Sequence, residues 1–165
     1  MNQEVKELNI VSVVEKAIEE HGTRRDAVIP VLSEVNRAFG YIPAEALPEI
    51  RRRIHEPDEG VFLADSHLYS VASFYQMFSL HPLGRHVVRF CESAPCHVQG
   101  GRQVIKALQD ELGIKPGETS ADKKWSLIMT SCLGICGVGP VFIVDEDVIG
   151  NVTPDQVHEI LARYQ

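Results

Sequence analysis

Four cysteines are the whole supply of thiol in this chain, and they fall in two close pairs. The first pair reads Cys91-Glu-Ser-Ala-Pro-Cys96, with four residues between the sulfurs. After 35 further residues comes Cys132-Leu-Gly-Ile-Cys136, with three. Two short-spaced pairs brought together by a fold make a box of four thiolates. Such a box holds zinc or an iron–sulfur cluster. In a reducing compartment this spacing reads as a metal site rather than as disulfides. A thioredoxin-type redox pair would need Cys-x-x-Cys, which is absent. A Rieske centre would use two histidines and leave two cysteines idle. His97 beside Cys96 is therefore read as a polar loop residue, and the histidines at 21, 55, 67, 81, 86 and 158 as surface or satisfied core. Plant-type ferredoxins group three cysteines with a distant fourth, unlike the two-plus-two pattern here. A dinuclear cluster is wider than one ion and suits the wider spacings. Gly134, Gly137 and Gly139 add small loops whose N–H groups can reach cluster sulfur. On spacing alone, zinc and iron–sulfur remain equally open.

The elements that must position these thiols begin at His86. His86 to Phe90 is a β-branched and aromatic run, a strand that delivers Cys91 at its end. Gly100 and Gly101 open a helix carrying Val104, Ala107, Leu108 and Leu112, stopped by Gly113. A polar loop over 115–123 leads to a second strand, Trp125 to Thr130, which delivers Cys132. A third strand, Val141 to Val144, turns through Asp145-Glu146-Asp147 into a fourth, Val148 and Ile149. Thr153 and Pro154 then suit the N-cap and first position of a last helix with Val157, Ile160 and Leu161. A helix between strands one and two makes them parallel, and a tight turn between three and four makes them antiparallel. That order is thioredoxin-like. Both cysteine pairs then lie just past the C-terminal ends of parallel strands, the edge where open α/β sheets bind ligands.

Upstream, residues 1–80 read as a small helical bundle. A first helix over 10–20 repeats Ile10, Val13, Val14, Ala17 and Ile18 at helical spacing, with Ser12 and Glu15 as its start and Gly22 as its end. A second carries Val28, Val31, Leu32, Val35, Ala38 and Phe39, with Thr23 and Asp26 at its first turn and Gly40 closing it; Pro30 falls early enough to be tolerated. A third runs from Pro43 through Ile54 until Pro57-Asp-Glu-Gly60 breaks it, and a short fourth covers about 65–73. The aromatic cluster around Phe62, Tyr69, Phe74, Tyr75 and Phe78 is expected in the core. Pro82-Leu83-Gly84 marks a boundary. The expected organisation is α/β: a helical segment, 1–80, and a thioredoxin-like domain with a four-stranded mixed sheet, 81–165.

Composition narrows the partners. The net charge is −7, and neither half is basic: residues 1–80 carry 8 basic and 13 acidic side chains, residues 81–165 carry 8 and 10. Nucleic acid is thereby excluded as the natural partner. Arg51-Arg52-Arg53, the one basic run, reads as a solvated helix face. Met1 to Leu8 is polar, and no stretch approaches the ~20 apolar residues of a membrane span. The expected location is cytoplasmic, or peripheral on the inner face of a membrane through a larger complex. Neither a Rossmann glycine fingerprint nor a P-loop is present, so no substrate pocket is expected.

The chain resembles the thioredoxin-like 2Fe–2S ferredoxins, the 24-kilodalton-type subunit of NADH:quinone oxidoreductase (respiratory complex I), and the related diaphorase-type subunits of NAD-linked hydrogenases and formate dehydrogenases. The residues that carry the likeness are Cys91-x4-Cys96 with Gly100 beyond, and Cys132-Leu-Gly-x-Cys136-Gly with Pro140 beyond. Phe39-Gly-Tyr-Ile-Pro43, Ala72-Ser-Phe-Tyr75 with Pro82-x-Gly84, and Gly150 with Thr153 add to it. Gly117-Glu-Thr-Ser-Ala-Asp122-Lys departs from the family's Gly-Glu-Thr-Thr run, and the stretch His55 to Ser66 is long; neither touches a ligand. The resemblance implies one low-potential 2Fe–2S cluster on Cys91, Cys96, Cys132 and Cys136, near the roughly −400 mV of plant-type clusters. It implies electron transfer beside a partner subunit that binds NADH and FMN. A zinc-binding interaction module and a free-standing ferredoxin are the alternatives from other classes.

Overall fold

The computed structural model describes residues 9–54 and 63–164. The chain divides into two compact units at Pro82 and Leu83.

The first unit is helical. Helix α1 (Ile10–His21) starts from Asn9, whose Oδ1 accepts from Val11 N–H at 3.0 Å. Ser12, expected to cap this helix, lies inside it and returns its hydroxyl to the Asn9 carbonyl. Gly22 ends the helix by donating to Ile18. A 3-10 turn, Arg25–Ala27, precedes α2 (Val28–Phe39), which Gly40 closes in the left-handed conformation at φ 77. Helix α3 (Ala46–Arg53) begins three residues later than expected, because the Pro43 carbonyl accepts from Ala46 N–H in a turn of its own. The expected breaker Pro57–Gly60, His55 and Phe62 lie outside the described residues. Helix α4 (Asp65–Phe74) matches the expected span. Val14, Val31, Leu32, Val35, Ile50 and Leu68 form the core of the unit. The basic run is paired internally: Arg51 with Asp65 at 2.8 Å, Arg53 with Glu15 at 2.9 Å, and Arg52 and Arg53 with Glu49.

The aromatic cluster does not follow the expectation of a core. Phe78 is buried, yet Phe74 is 77 % exposed, Tyr69 55 % and Tyr75 37 %, with Met77 beside them at 58 %. Helix α4 needs only Leu68 and Ala72, one turn apart, to fill its buried face. Its aromatic side chains are left facing out.

The second unit is a four-stranded sheet in the order β2-β1-β3-β4. Strand β1 (His86–Cys91) lies between neighbours and is buried on both faces. After it come a single helical turn, α5 (Ala94–Cys96), a kinked helical segment His97–Gly101, and α6 (Arg102–Leu112). The chain is therefore helical well before Gly100 and Gly101, where the sequence placed the start. Strand β2 (Trp125–Thr130) pairs parallel to β1, with His86 opposite Trp125 and Cys91 opposite Thr130. Strand β3 (Phe142–Val144) runs antiparallel to β1, and β4 (Asp147–Ile149) antiparallel to β3. Thr153 and Gln156 form a reciprocal capping box ahead of α7 (Val157–Leu161). Val88, Phe90, Leu127, Phe142 and Val144 from the sheet pack with Val104, Leu108 and Val157 from the helices. The mixed α/β architecture is the one expected. Among the described residues no helix is long and apolar enough to cross a membrane.

Candidate iron–sulfur centre

The two cysteine pairs meet at one end of the sheet. Cys91 is the last residue of β1; its N–H donates to the Val141 carbonyl at 3.3 Å, and its side chain is buried. Cys96 closes the α5 turn and is equally buried. With Val141 and Leu133 these two sulfurs form a small separate core. Gly101 lets the chain fold back here. A Cβ at that position would sit 2.7 Å from the Cys96 carbonyl oxygen.

The second pair lies on a loop. Cys132 follows β2 by two residues and is exposed; Cys136 opens a 3-10 turn, Cys136–Val138, and is half-buried. Their sulfurs are 3.6 Å apart, and Gly134 N–H donates to Cys132 Sγ at 3.4 Å. The turn between β4 and α7 holds this loop from below. Asn151 N–H donates to the Val138 carbonyl at 2.6 Å, and Val152 N–H to Pro140 at 3.2 Å. Gly150 lies so close that a Cβ there would stand 2.7 Å from Val138 O. From above, the Gln99 amide reaches the Cys136 carbonyl at 3.4 Å.

The thiols sense one another. Burial pushes the Cys91 thiol up, but N–H groups of Ser93 and Leu133, with the Cys96 thiol, outweigh it and leave Cys91 below its ordinary value. Burial and the neighbouring Cys91 raise Cys96, which also feels Cys136. Cys136 is raised by Cys132 first, then by burial, and feels Cys91. Cys91 favoured as an anion, with Cys96 and Cys136 pushed towards the neutral form, is the pattern of like charges competing for one site. A positive metal centre would release all four to ionise.

The donor set fits a 2Fe–2S cluster. It consists of four soft sulfurs with neighbouring backbone N–H groups aimed at three of them, Cys91, Cys96 and Cys132. Among the described residues no three His, Cys, Asp or Glu side chains gather tightly enough for a single metal ion. His97 is exposed and stays outside the set. With Glu92 and Arg102 it lines a cleft of about 310 Å³ behind Cys91. His86 pairs with Asp145 and His158 with Glu111, both away from the thiols.

Two contacts escaped the sequence. Gln99 and Gly139 touch across the two loops, and Gly150 supports Val138. Nothing in residue type marks Gln99. The glycines could have been flagged as close approaches, but not their partners. The sequence also did not show that Val98 (85 % exposed), Ile135 (37 %) and Val138 (38 %), on the two segments that follow the cysteines, are left exposed.

Comparison with known proteins agrees with this geometry. The family model for the thioredoxin-like [2Fe-2S] ferredoxin matches residues 14–165. An NADH-quinone oxidoreductase subunit of Escherichia coli K12 is 35 % identical over 152 residues, covering 92 % of this chain and 87 % of that one. The subunit of the same name from Aquifex aeolicus is 36 % identical over 141 residues, covering 86 % and 84 %. The NADP-reducing hydrogenase subunit HndA of Solidesulfovibrio fructosivorans is 34 % identical over 137 residues, covering 83 % and 76 %. Among solved structures, an NAD+-reducing [NiFe]-hydrogenase chain superposes with a TM-score of 0.66 at 21 % identity. The match covers 81 % of this chain and 22 % of that one, a likeness of fold. With that family model over residues 14–165 and relatives of this kind, the cofactor is a 2Fe–2S cluster, and the chain belongs to the thioredoxin-like [2Fe-2S] ferredoxin family.

Proposed function

We propose that Cys91, Cys96, Cys132 and Cys136 hold one 2Fe–2S cluster, and that the chain relays electrons beside a flavin-bearing, NADH-oxidising subunit of an NADH:quinone oxidoreductase-type complex. When bound, the cluster accepts and releases one electron at a time. The residues of the chain do the rest. The buried pair anchors the cluster to the central strand, and the exposed pair turns one edge outward. The observation that carries this reading is that asymmetry. Cys91 and Cys96 are 1 % exposed. Cys132 is open to the surface, and Val98, Ile135 and Val138 on the same two cysteine-bearing segments are exposed apolar residues. Apolar surface excludes water when a partner closes over it, and a dry contact strengthens electrostatic coupling across it.

The helical segment, residues 1–80, is the main dock for that subunit, and residues 81–165 are the cluster domain. Exposed Tyr69, Phe74, Tyr75 and Met77 supply what a dock needs, since aromatic residues and methionine are enriched at interfaces. Four free thiols suit the reducing cytoplasm, at the inner face of a membrane only through the complex.

The test is reduction by the natural donor. Co-purified with its flavoprotein and given NADH, the chain should show the electron paramagnetic resonance signal of a reduced 2Fe–2S centre. Metal analysis giving one zinc and no iron or acid-labile sulfide would end this reading. The equivalent role in an NAD-linked hydrogenase is the second reading, favoured by the 34 % identity to the hydrogenase subunit. Its mark is co-purification with a hydrogen-oxidising partner.

A further inference from the structure

We propose that Gln99 is a positioning residue that clasps the two cysteine loops together and tunes the cluster they hold. The inference rests on the four-thiol assignment above. Gln99 lies on the kinked segment His97–Gly101, three residues past Cys96, so its backbone belongs to the first loop. Its side chain belongs to the second. The amide nitrogen donates to the Cys136 carbonyl at 3.4 Å. The rest of the amide lies over Gly139: a Cβ on Gly139 would be 2.7 Å from Gln99 Oε1 and 3.3 Å from its Cδ. The same Cβ would be 3.3 Å from Cys96 Sγ. One planar amide thus touches the carbonyl of one candidate ligand, Cys136, and packs on the glycine that abuts the sulfur of another, Cys96. Backbone bonds between the same two segments lie at Cys91 N–H to Val141 O and Glu92 N–H to Thr130 O.

Two consequences follow. The first is mechanical. Cys136 sits on a 3-10 turn braced from below by Asn151 and Val152, and Gln99 is the brace from the opposite loop. Gly139 has its residue type because the amide occupies the space a side chain would need. The second is electrostatic. A neutral amide beside a candidate ligand sulfur can be exchanged for an isosteric carboxylate. An anion at that point raises the cost of adding an electron, whereas an anion in open solvent is screened.

The experiment uses the full chain with its cluster. Gln99→Leu removes the donor at similar volume, and release of iron to a chelator should quicken about two- to tenfold, the worth of one hydrogen bond. Gln99→Glu should leave the chain folded and lower the midpoint potential. At the wild-type midpoint the ratio of reduced to oxidised cluster should fall roughly fivefold, the effect of a unit charge a few ångströms away even at the dielectric of water. Gly139→Ala should broaden or shift the resonance of the reduced cluster. The double variant Gln99→Ala with Gly139→Ala should move it back towards wild type, because the obstacle at 2.7 Å has gone. A merely structural glutamine would alter melting and leave the potential alone. An unchanged potential in Gln99→Glu, or strictly additive effects in the double variant, overturns the clasp. Wild-type protein without iron and sulfide would instead overturn the four-thiol reading beneath it.

Discussion

Replacing Gly150 with alanine should unseat the loop that carries Cys136. The added methyl would meet Val138 O at 2.7 Å, and Val138 Cβ and Cγ2 at 2.8 Å, all well inside ordinary contact. Gly150 has no left-handed φ, so the cost comes from crowding alone. Neither side gives way freely. Val138 is held in the 3-10 turn by its N–H bond to Ile135, and Asn151 donates to the Val138 carbonyl at 2.6 Å. Overpacking of this kind costs about 1–3 kcal/mol. Loss of the Asn151 bond adds about 0.5–1.5 kcal/mol. For a unit of this size each kcal/mol lowers Tm by about 4–8 °C, so a fall on the order of 10 °C is expected. The assay is thermal unfolding of the cluster-loaded protein, followed at once by visible absorption and circular dichroism. Absorption should fail first, because the loop carries Cys136. Gly137→Ala is the matched control in the same turn, since its Cβ would meet nothing within 4 Å. If Gly150→Ala melts within about 2 °C of wild type, well under the shift of one kcal/mol, or if Gly137→Ala falls as far, the bracing role is wrong.

Three further outcomes are expected. Any single Cys→Ser change at 91, 96, 132 or 136 should weaken or abolish the cluster and lower Tm, since metal binding is coupled to folding; a serine variant with wild-type iron, spectrum and melting is not at a ligand position. Deleting residues 1–80 should leave a brown, folded 2Fe–2S domain that no longer co-purifies with the flavoprotein, and full retained affinity would refute the docking role. Tyr164 is pushed up to about 12, by burial first and then by its hydrogen bond to Asp147. A folded pKa above the unfolded one gives stability that is complete below about pH 10 and fades as pH rises towards 12. Tyr164→Phe should flatten that alkaline limb in chemical denaturation, and an identical limb in both proteins would assign it elsewhere.

The cluster domain was more legible in the sequence than the helical unit. The run from His86 to Cys91 has β-branched and aromatic residues on both faces, which only a doubly covered strand needs, and the structure buries it on both. A helix between β1 and β2 dictated parallel pairing, and parallel pairing put both cysteine pairs at the same edge. Boundaries were less legible because polar residues compete locally. Ser12 and Asn9 can both cap α1, and Asn9 prevails by reaching Val11 N–H while Ser12 turns back onto it. Gly100 and Gly101 look like a helix start. Gly100, at φ 104, instead bends a segment that is already helical. The exposed aromatics of α4 were hidden for another reason. Hydrophobicity alone does not say which apolar residues a helix buries: α4 fills its inner face with Leu68 and Ala72 and leaves Phe74 exposed.

The unequal support of the two thiol pairs bears on how the centre works. Cys91 is fixed by the sheet itself, between β2 and β3, and Cys96 by a helical turn packed on it. Cys132 and Cys136 have no strand beneath them. Their loop is held by bonds from separate parts of the fold: Asn151 and Val152 from the β4–α7 turn, and Gln99 from the segment after Cys96. If the proposed ligands Cys132 and Cys136 hold the cluster, an exposed loop left to itself would move when the charge on them changes. Movement of the ligands adds to the barrier for each electron, so a redox site benefits from a first shell held by locked neighbours. The bracing falls on the loop beyond the end of β2, which the sheet no longer supports. The close approaches at Gly139 and Gly150 are the signature of that bracing, and substitutions there should disturb the potential and the spectrum before they disturb the fold.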